Sequence, residues 1–348
     1  MDVSSCFALR LSAFVAVATA MTALLITGVA GAAGHFTTVA TDFESPLFGL
    51  AVAPGNRLVV ADAGAGPTEV RNGATALVAD LPGVTDVAPI GRGEMLALTS
   101  EFAPGALPAL YRVSQGRVQM VANIGDFEAA EDPADDGVES NPFDLARMAG
   151  GKTLVADAAG NSVLVVDEMG NVDWVAALPQ HDVECPVAIC GVPGVIIDAD
   201  PVATTVAIGP DGAYYVGELT GFPATPGTSR IWRIEPGTRH AKCGISSACS
   251  IVGTGFTSII DINFGPDGMA YVVELDEASW LGLEIGFGVG GTLNACETEG
   301  TWSCSVRAAQ LPVPTAVALD GSSIYTTLYS LEAFGIGPAG DAQVARLP

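Results

Sequence analysis

Two stretches of the chain are near copies of each other: residues 204–218 read TTVAIGPDGAYYVGE and residues 260–274 read IDINFGPDGMAYVVE. Each is a short apolar strand, a Pro-Asp-Gly turn, and a second apolar strand ending in Glu. Pro presets φ for the turn and Gly accepts positive φ, so the pattern predicts a hairpin. Weaker copies stand at 48–62 (FGLAVAPGNRLVVAD), 85–100 (TDVAPIGRGEMLALTS), 143–157 (FDLARMAGGKTLVAD) and 315–328 (TAVALDGSSIYTTL). One column then aligns Gly49, Asp86, Asp144, Thr205, Asp261 and Ala316, at spacings of 37, 58, 61, 56 and 55 residues. Six units of about 53 residues are the size of a propeller blade.

Each unit continues into further strands. Third strands are expected at Leu110–Val113, Val163–Asp167 and Ile231–Glu235. Fourth strands share a short pattern: ALVADL at 76–81, QMVANI at 119–124, DWVAAL at 173–178, SIVGTGF at 250–256 and SVRAAQL at 305–311. The sixth unit has none, because the chain stops at AQVARLP. The missing copy lies at the other end, as TTVATDF at 37–43. A fourth strand supplied from the N-terminus closes a ring and removes the open edges of an all-β array. The fold expected is therefore an all-β, six-bladed β-propeller over residues 33–348, with residues 36–43 beside 342–347. No stretch repeats its apolar residues every 3.6 positions over a dozen residues, so helices should be few.

Residues 11–33 carry no charge and include Ala30-Gly31-Ala32, a small-x-small cleavage pattern. This reads as a secretory signal over 1–32. Because about 18–20 apolar residues also span a bilayer, an uncleaved membrane anchor is the alternative. Either reading places the remainder outside the cytoplasm, as a monomer. Net charge is −25, with Lys152 and Lys242 the two lysines. Such a field repels phosphate backbones and anionic lipid, which excludes nucleic acid as a partner and attracts cations. Beyond Cys6 there are six cysteines in three close pairs: Cys185 and Cys190, Cys243 and Cys249, Cys296 and Cys304. An even count in an exported chain predicts disulfides. Fifteen pairings are formally open, and closing each short insertion on itself is the economical one. No pair is C-x-x-C, which disfavours zinc.

Two rings of residues should meet where the inner strands begin. The first is the column with Asp86, Asp144 and Asp261. The second is the end of strand two: Asp62, Ser100, Asp157, Glu218, Glu274 and Leu328. Carboxylates around a tunnel suit Ca2+ or another divalent cation, a metal-activated water, or acid–base chemistry. They equally suit backbone N–H groups in the adjoining turns. Residues 126–141, DFEAAEDPADDGVESN, form an acidic insertion that suits calcium or plain solvation but does not match an EF-hand. There is no G-x-S-x-G elbow and no H-E-x-x-H.

The stretches 140–179, 204–237 and 255–276, above all GELTGFP followed by RIWRI, resemble secreted NHL-like propellers of the ScyD/ScyE family of scytonemin-pigment clusters. The resemblance covers nearly the whole exported chain and implies an exported propeller without an established reaction. More distantly the architecture is similar to gluconolactonase (SMP-30-like) and strictosidine-synthase propellers. The function expected is a ligand-binding or scaffold protein taking a small molecule or a protein at the face bearing the long loops. The alternative is a metal-dependent, lactonase-like hydrolase at the channel mouth.

Overall fold

A computed structural model describes residues 35–299 and 302–348; the segment 1–32, expected from sequence to be a secretory signal, lies outside the described residues. Six antiparallel four-stranded units follow one another around a ring. Their innermost strands are Leu47–Ala53, Val84–Gly91, Pro142–Arg147, Ala203–Ile208, Ile259–Phe264 and Val317–Asp320. Blades one to six are numbered by these strands. Within each blade, hairpin connections carry the chain outward, so the first strand is central and the fourth peripheral.

The ring closes as the displaced fourth strand requires. Thr37–Ala40 pairs antiparallel with Gln343–Leu347, with Thr37 opposite Arg346 and Thr38 opposite Ala345. Thr38 Oγ1 also donates to Gln343 Oε1 at 2.6 Å. The first and last segments of the described chain therefore form one blade. Apolar faces of neighbouring blades then pack against each other. Leu47, Leu98, Leu110, Leu154, Leu164, Ile231, Ile259 and Leu293 are among the fully buried side chains.

Three features depart from the sequence reading. The acidic insertion is not all loop: Ile124–Glu131 is a helix, N-capped by Asn123, whose side chain accepts from the Asp126 N–H. Ile124 and Glu128 on that helix are buried. Second, residues 241–242 form a short parallel strand beside Val172–Ala177, so a strap from blade four covers the outer edge of blade three. Third, the insertion at 179–203 folds into its own hairpin, His181–Glu184 with Ile196–Ala199. The disulfides are Cys185–Cys190, Cys243–Cys249 and Cys296–Cys304, each closing one insertion or hairpin on itself. They fit an extracellular protein. Among the described residues, no helix is long and apolar enough to cross a membrane.

Candidate functional site at the central channel

The inner strands of blades one to five each carry a β-bulge just before the aligned column. In blade three, Pro142 pairs with Asp157 and Asp144 with Ala156, leaving Phe143 unpaired. The same skip occurs at Thr85, Thr204 and Ile260, and across 48–49 in blade one. A bulge bends the strand and re-aims its side chains. Here it produces two tiers at the upper end of the channel, the end where the inner strands begin.

The upper tier holds the residue just before the column in each blade, which in blades one to five lies in the bulge, and these residues alternate around the ring. In blades two, four and six they are threonines. Thr85 donates to the Pro142 carbonyl at 2.9 Å, Thr204 to Ile259 at 2.7 Å and Thr315 to Leu47 at 2.8 Å. Each thus ties its blade to the next. In blades one, three and five the bulge carries Phe48, Phe143 and Ile260. Phe48 and Phe143 meet with ring centroids 5.2 Å apart. Their blades are not neighbours, so this contact spans the mouth. Phe102 packs against Phe48 in a tilted pair with centroids 4.7 Å apart, and Phe334 approaches Phe102 at 6.5 Å. Phe48, Phe143, Ile260, Leu219, Leu275 and Leu331 belong to one apolar cluster. The upper mouth, where the sequence placed a polar centre, is an apolar plug.

The lower tier is the aligned column, and its side chains reach sideways to the following blade. Asp86 accepts from the Leu145 N–H at 3.1 Å, and Asp144 from Val206 at 2.7 Å. Thr205 Oγ1 accepts from Ile262 at 3.0 Å, and Asp261 from Val317 at 2.7 Å. Every acceptor takes the N–H one residue after the next blade's column residue. The interfaces of blades two through six are clasped in this way. Gly49 and Ala316 have no polar atom to offer. Gly49 is constrained for another reason: a Cβ there would lie 1.9 Å from Asp86 Oδ1.

The column residues are also brought together. The Thr205 hydroxyl donates to Asp144 Oδ2 at 2.7 Å and stands 3.4 Å from Asp261 Oδ1. Burial, then the charge of Asp144, pushes Asp86 and Asp261 well above the usual carboxylate range. Asp86 shares a hydrogen bond with Asp144 as well. Burial also raises Asp144, but the hydrogen bonds from Asp86, Thr205, Val206 and Leu145 oppose that rise. Of the three, Asp144 is therefore the carboxyl whose charged form is best supported by hydrogen bonds, while Asp86 and Asp261 are the ones driven toward the protonated form. Below the trio lies a cavity of about 450 Å3. Two residues beyond the column it is walled by Ala51, Ala88, Ala146, Ala207, Asn263 and Ala318, and small side chains there leave the space. Arg147, at the lower end, is exposed.

The second ring does not join this centre. Asp62 accepts from Glu44 N–H at 2.9 Å and Gly64 N–H at 3.2 Å. Asp157 accepts from the Ser140 hydroxyl at 2.7 Å and the Asn141 and Gly160 N–H groups at 2.6 and 3.1 Å. Glu218, fully buried, takes Arg230 bidentately at 2.7 and 2.9 Å and the Trp232 indole at 2.5 Å. Glu274 accepts from Thr257 N–H and Asn294 Nδ2, both at 2.5 Å, and burial helped by Glu277 pushes it to about 7. Each carboxylate holds a turn or strand of its own neighbourhood. In blade two the residue paired like Asp62 and Asp157 is Thr99, opposite Val84, and not Ser100. Among the described residues, no three His, Cys, Asp or Glu side chains are grouped to hold a metal ion as they stand. The inter-blade clasps and the aromatic plug were missed from sequence, although the alternation of Thr85, Thr204 and Thr315 with Phe48, Phe143 and Ile260 is visible one residue before the column.

Ring topology and channel define the class: a six-bladed β-propeller. Solved structures bear this out. An aldose sugar dehydrogenase from Streptomyces coelicolor, in its PQQ-bound form, matches with 16% identity and a TM-score of 0.58, over 91% of this chain and 98% of its own. The calcium-binding protein regucalcin from Agrobacterium tumefaciens matches with 12% identity and a TM-score of 0.55, over 90% of this chain and 93% of its own. A gluconolactonase from Xanthomonas campestris matches with 12% identity and a TM-score of 0.55, over 90% of each chain. At these identities the likeness is one of fold. No protein-family model and no curated protein matches the sequence.

Proposed function

We propose that the chain is an exported ligand-binding propeller of the ScyD/ScyE kind, whose central cavity takes a small organic cation such as a protonated amine. The observation that carries this reading is the cavity of about 450 Å3 facing Asp86, Asp144 and Asp261. That volume lies within the range of small-molecule sites. The Asp144 carboxylate, held by the Leu145 and Val206 N–H groups and the Thr205 hydroxyl, matches a cation, and Asp86 and Asp261 supply further polar oxygens. Backbone N–H groups hold all three carboxyls in place, so the site is preorganised.

A lactonase-like hydrolase is the second reading, supported by the architecture shared with a gluconolactonase. The Phe48–Phe143 contact across the upper mouth and the engagement of the carboxylates in clasps favour binding over hydrolysis. Calorimetry with a panel of small primary and quaternary amines tests the proposal, using wild type and Asp144→Asn. Binding that weakens at least tenfold in Asp144→Asn is expected. No binding, or binding indifferent to that substitution, overturns it. Lactone turnover lost in both Asp144→Asn and Asp261→Asn would favour the hydrolase instead.

A further inference from the structure

Away from the channel, the junction of blades two and three buries a carboxylate without a partner. Glu128 lies on the inner side of the helix Ile124–Glu131, is fully buried, and neither of its oxygens has a hydrogen-bond donor. A buried carboxyl in that state carries the full cost of its desolvation. Its surroundings make matters worse, because they are acidic. Glu128 Oε2 stands against Gly160, where a Cβ would lie 3.1 Å from it and 3.2 Å from the Asp157 carboxyl carbon. Asp136 is held over the same turn by the Asn161 amide, which donates to it at 2.8 Å. Asp132 caps the helix that carries Glu128. Burial, followed by the charges of Asp157, Asp132 and Asp136, pushes Glu128 up to about 8. Among the described residues, no cationic side chain forms an ion pair with this cluster: Lys242 reaches the neighbouring Pro133 carbonyl instead.

We propose that Glu128, Asp132, Asp136 and Asp157 form a binding site for a hard divalent cation, of which Ca2+ is the best match. The ligands available are all oxygens, the donor type such cations prefer, and Glu128 offers two of them. Asn141 adds a further buried oxygen without a donor, on the residue whose N–H is bonded to Asp157. Glu128 and Asp157 are fixed by the helix and the blade. Asp136 is exposed and Asp132 half-buried on the connecting loop, so these two supply the adjustment that brings the oxygens onto one ion. The bound cation would anchor the 124–141 segment across the junction of blades two and three. The site is independent of the channel and of any ligand there.

The test uses the purified exported protein, stripped with EDTA and dialysed. Ca2+ and Mg2+ are titrated by calorimetry at pH 7, and thermal melts are recorded with and without 1 mM CaCl2, a concentration on the order of extracellular calcium affinities. Wild type is expected to bind one Ca2+ and to melt at a higher temperature in its presence. Glu128→Gln, which keeps shape and removes the charge, should fold and lose at least tenfold in Ca2+ affinity. Asp136→Asn, on the surface, should lose affinity without altering the calcium-free melt. Asp144→Asn should leave Ca2+ binding unchanged, which separates this site from the channel. Absence of a Ca2+-dependent shift in wild type overturns the assignment, and so does a full shift retained in Glu128→Gln and Asp136→Asn.

Discussion

The carboxyl trio makes stability depend on pH in a direction opposite to that of most paired carboxylates. Asp86 is raised because the folded channel desolvates it and sets it beside Asp144. In the unfolded chain an Asp releases its proton near pH 3.9. Between that value and the raised folded value, the native state holds a proton that the unfolded state has lost. Asp86 therefore contributes stability that is complete below about pH 4 and is lost as pH rises toward its folded value. One such proton is worth up to about 1.4 kcal/mol per pH unit within the window between the unfolded and folded values. Asp261, Glu274 and Glu284 are raised by burial too, so the wild-type slope is the sum of several groups. Asp86→Asn isolates one of them. The amide can donate to Asp144 as the protonated acid does, and it does not titrate. Urea unfolding at pH 5, 6 and 7 should show wild type losing stability with pH. Asp86→Asn should gain on wild type as pH rises, by up to about 1.4 kcal/mol per pH unit. Parallel pH profiles for the two proteins would refute the shared-proton account of Asp86 and Asp144.

Three further outcomes follow from the packing. Gly49→Ala places a Cβ 1.9 Å from Asp86 Oδ1 in the inner strand; a loss of about 3 kcal/mol or misfolding is expected in denaturant melts, as for other overpacked cores. Glu218→Gln leaves Arg230 without its carboxylate inside blade four and should cost about 3 kcal/mol, read by the same melts, because breaking a buried ion pair strands a charge. Truncation through Phe43 uncovers the edge of Gln343–Leu347 and should lower Tm by about 10 °C or more, at roughly 2–4 °C per kcal/mol; scanning calorimetry of the truncated chain checks this.

The sequence by itself determined the number of blades, their order and the way the ring closes. These are local and periodic properties. The Pro-Asp-Gly turns between apolar runs write the hairpins at 204–218 and 260–274, and the fourth-strand pattern at 37–43 is a copy displaced to the wrong end unless the chain forms a circle. Short cysteine spacings favoured closing each loop on itself, and the three bridges do so. What the side chains of the aligned column do was decided by tertiary structure alone. Asp144 reaches the N–H of Val206, 62 positions away, and Asp86 that of Leu145, 59 away. Such partners become neighbours only after the ring forms, and the bulge that aims them exists only once the inner strand has paired with its neighbour. The Phe48–Phe143 contact that covers the upper mouth joins blades that are not adjacent. Glu128 is the same case: on paper it is one of seven acids in a polar insertion, and only the packing of its helix against blade three turns it into a buried carboxyl without a partner. Composition fixes how many charges a chain carries, but the dielectric around each, and therefore its chemistry, is set by which segments fold over it.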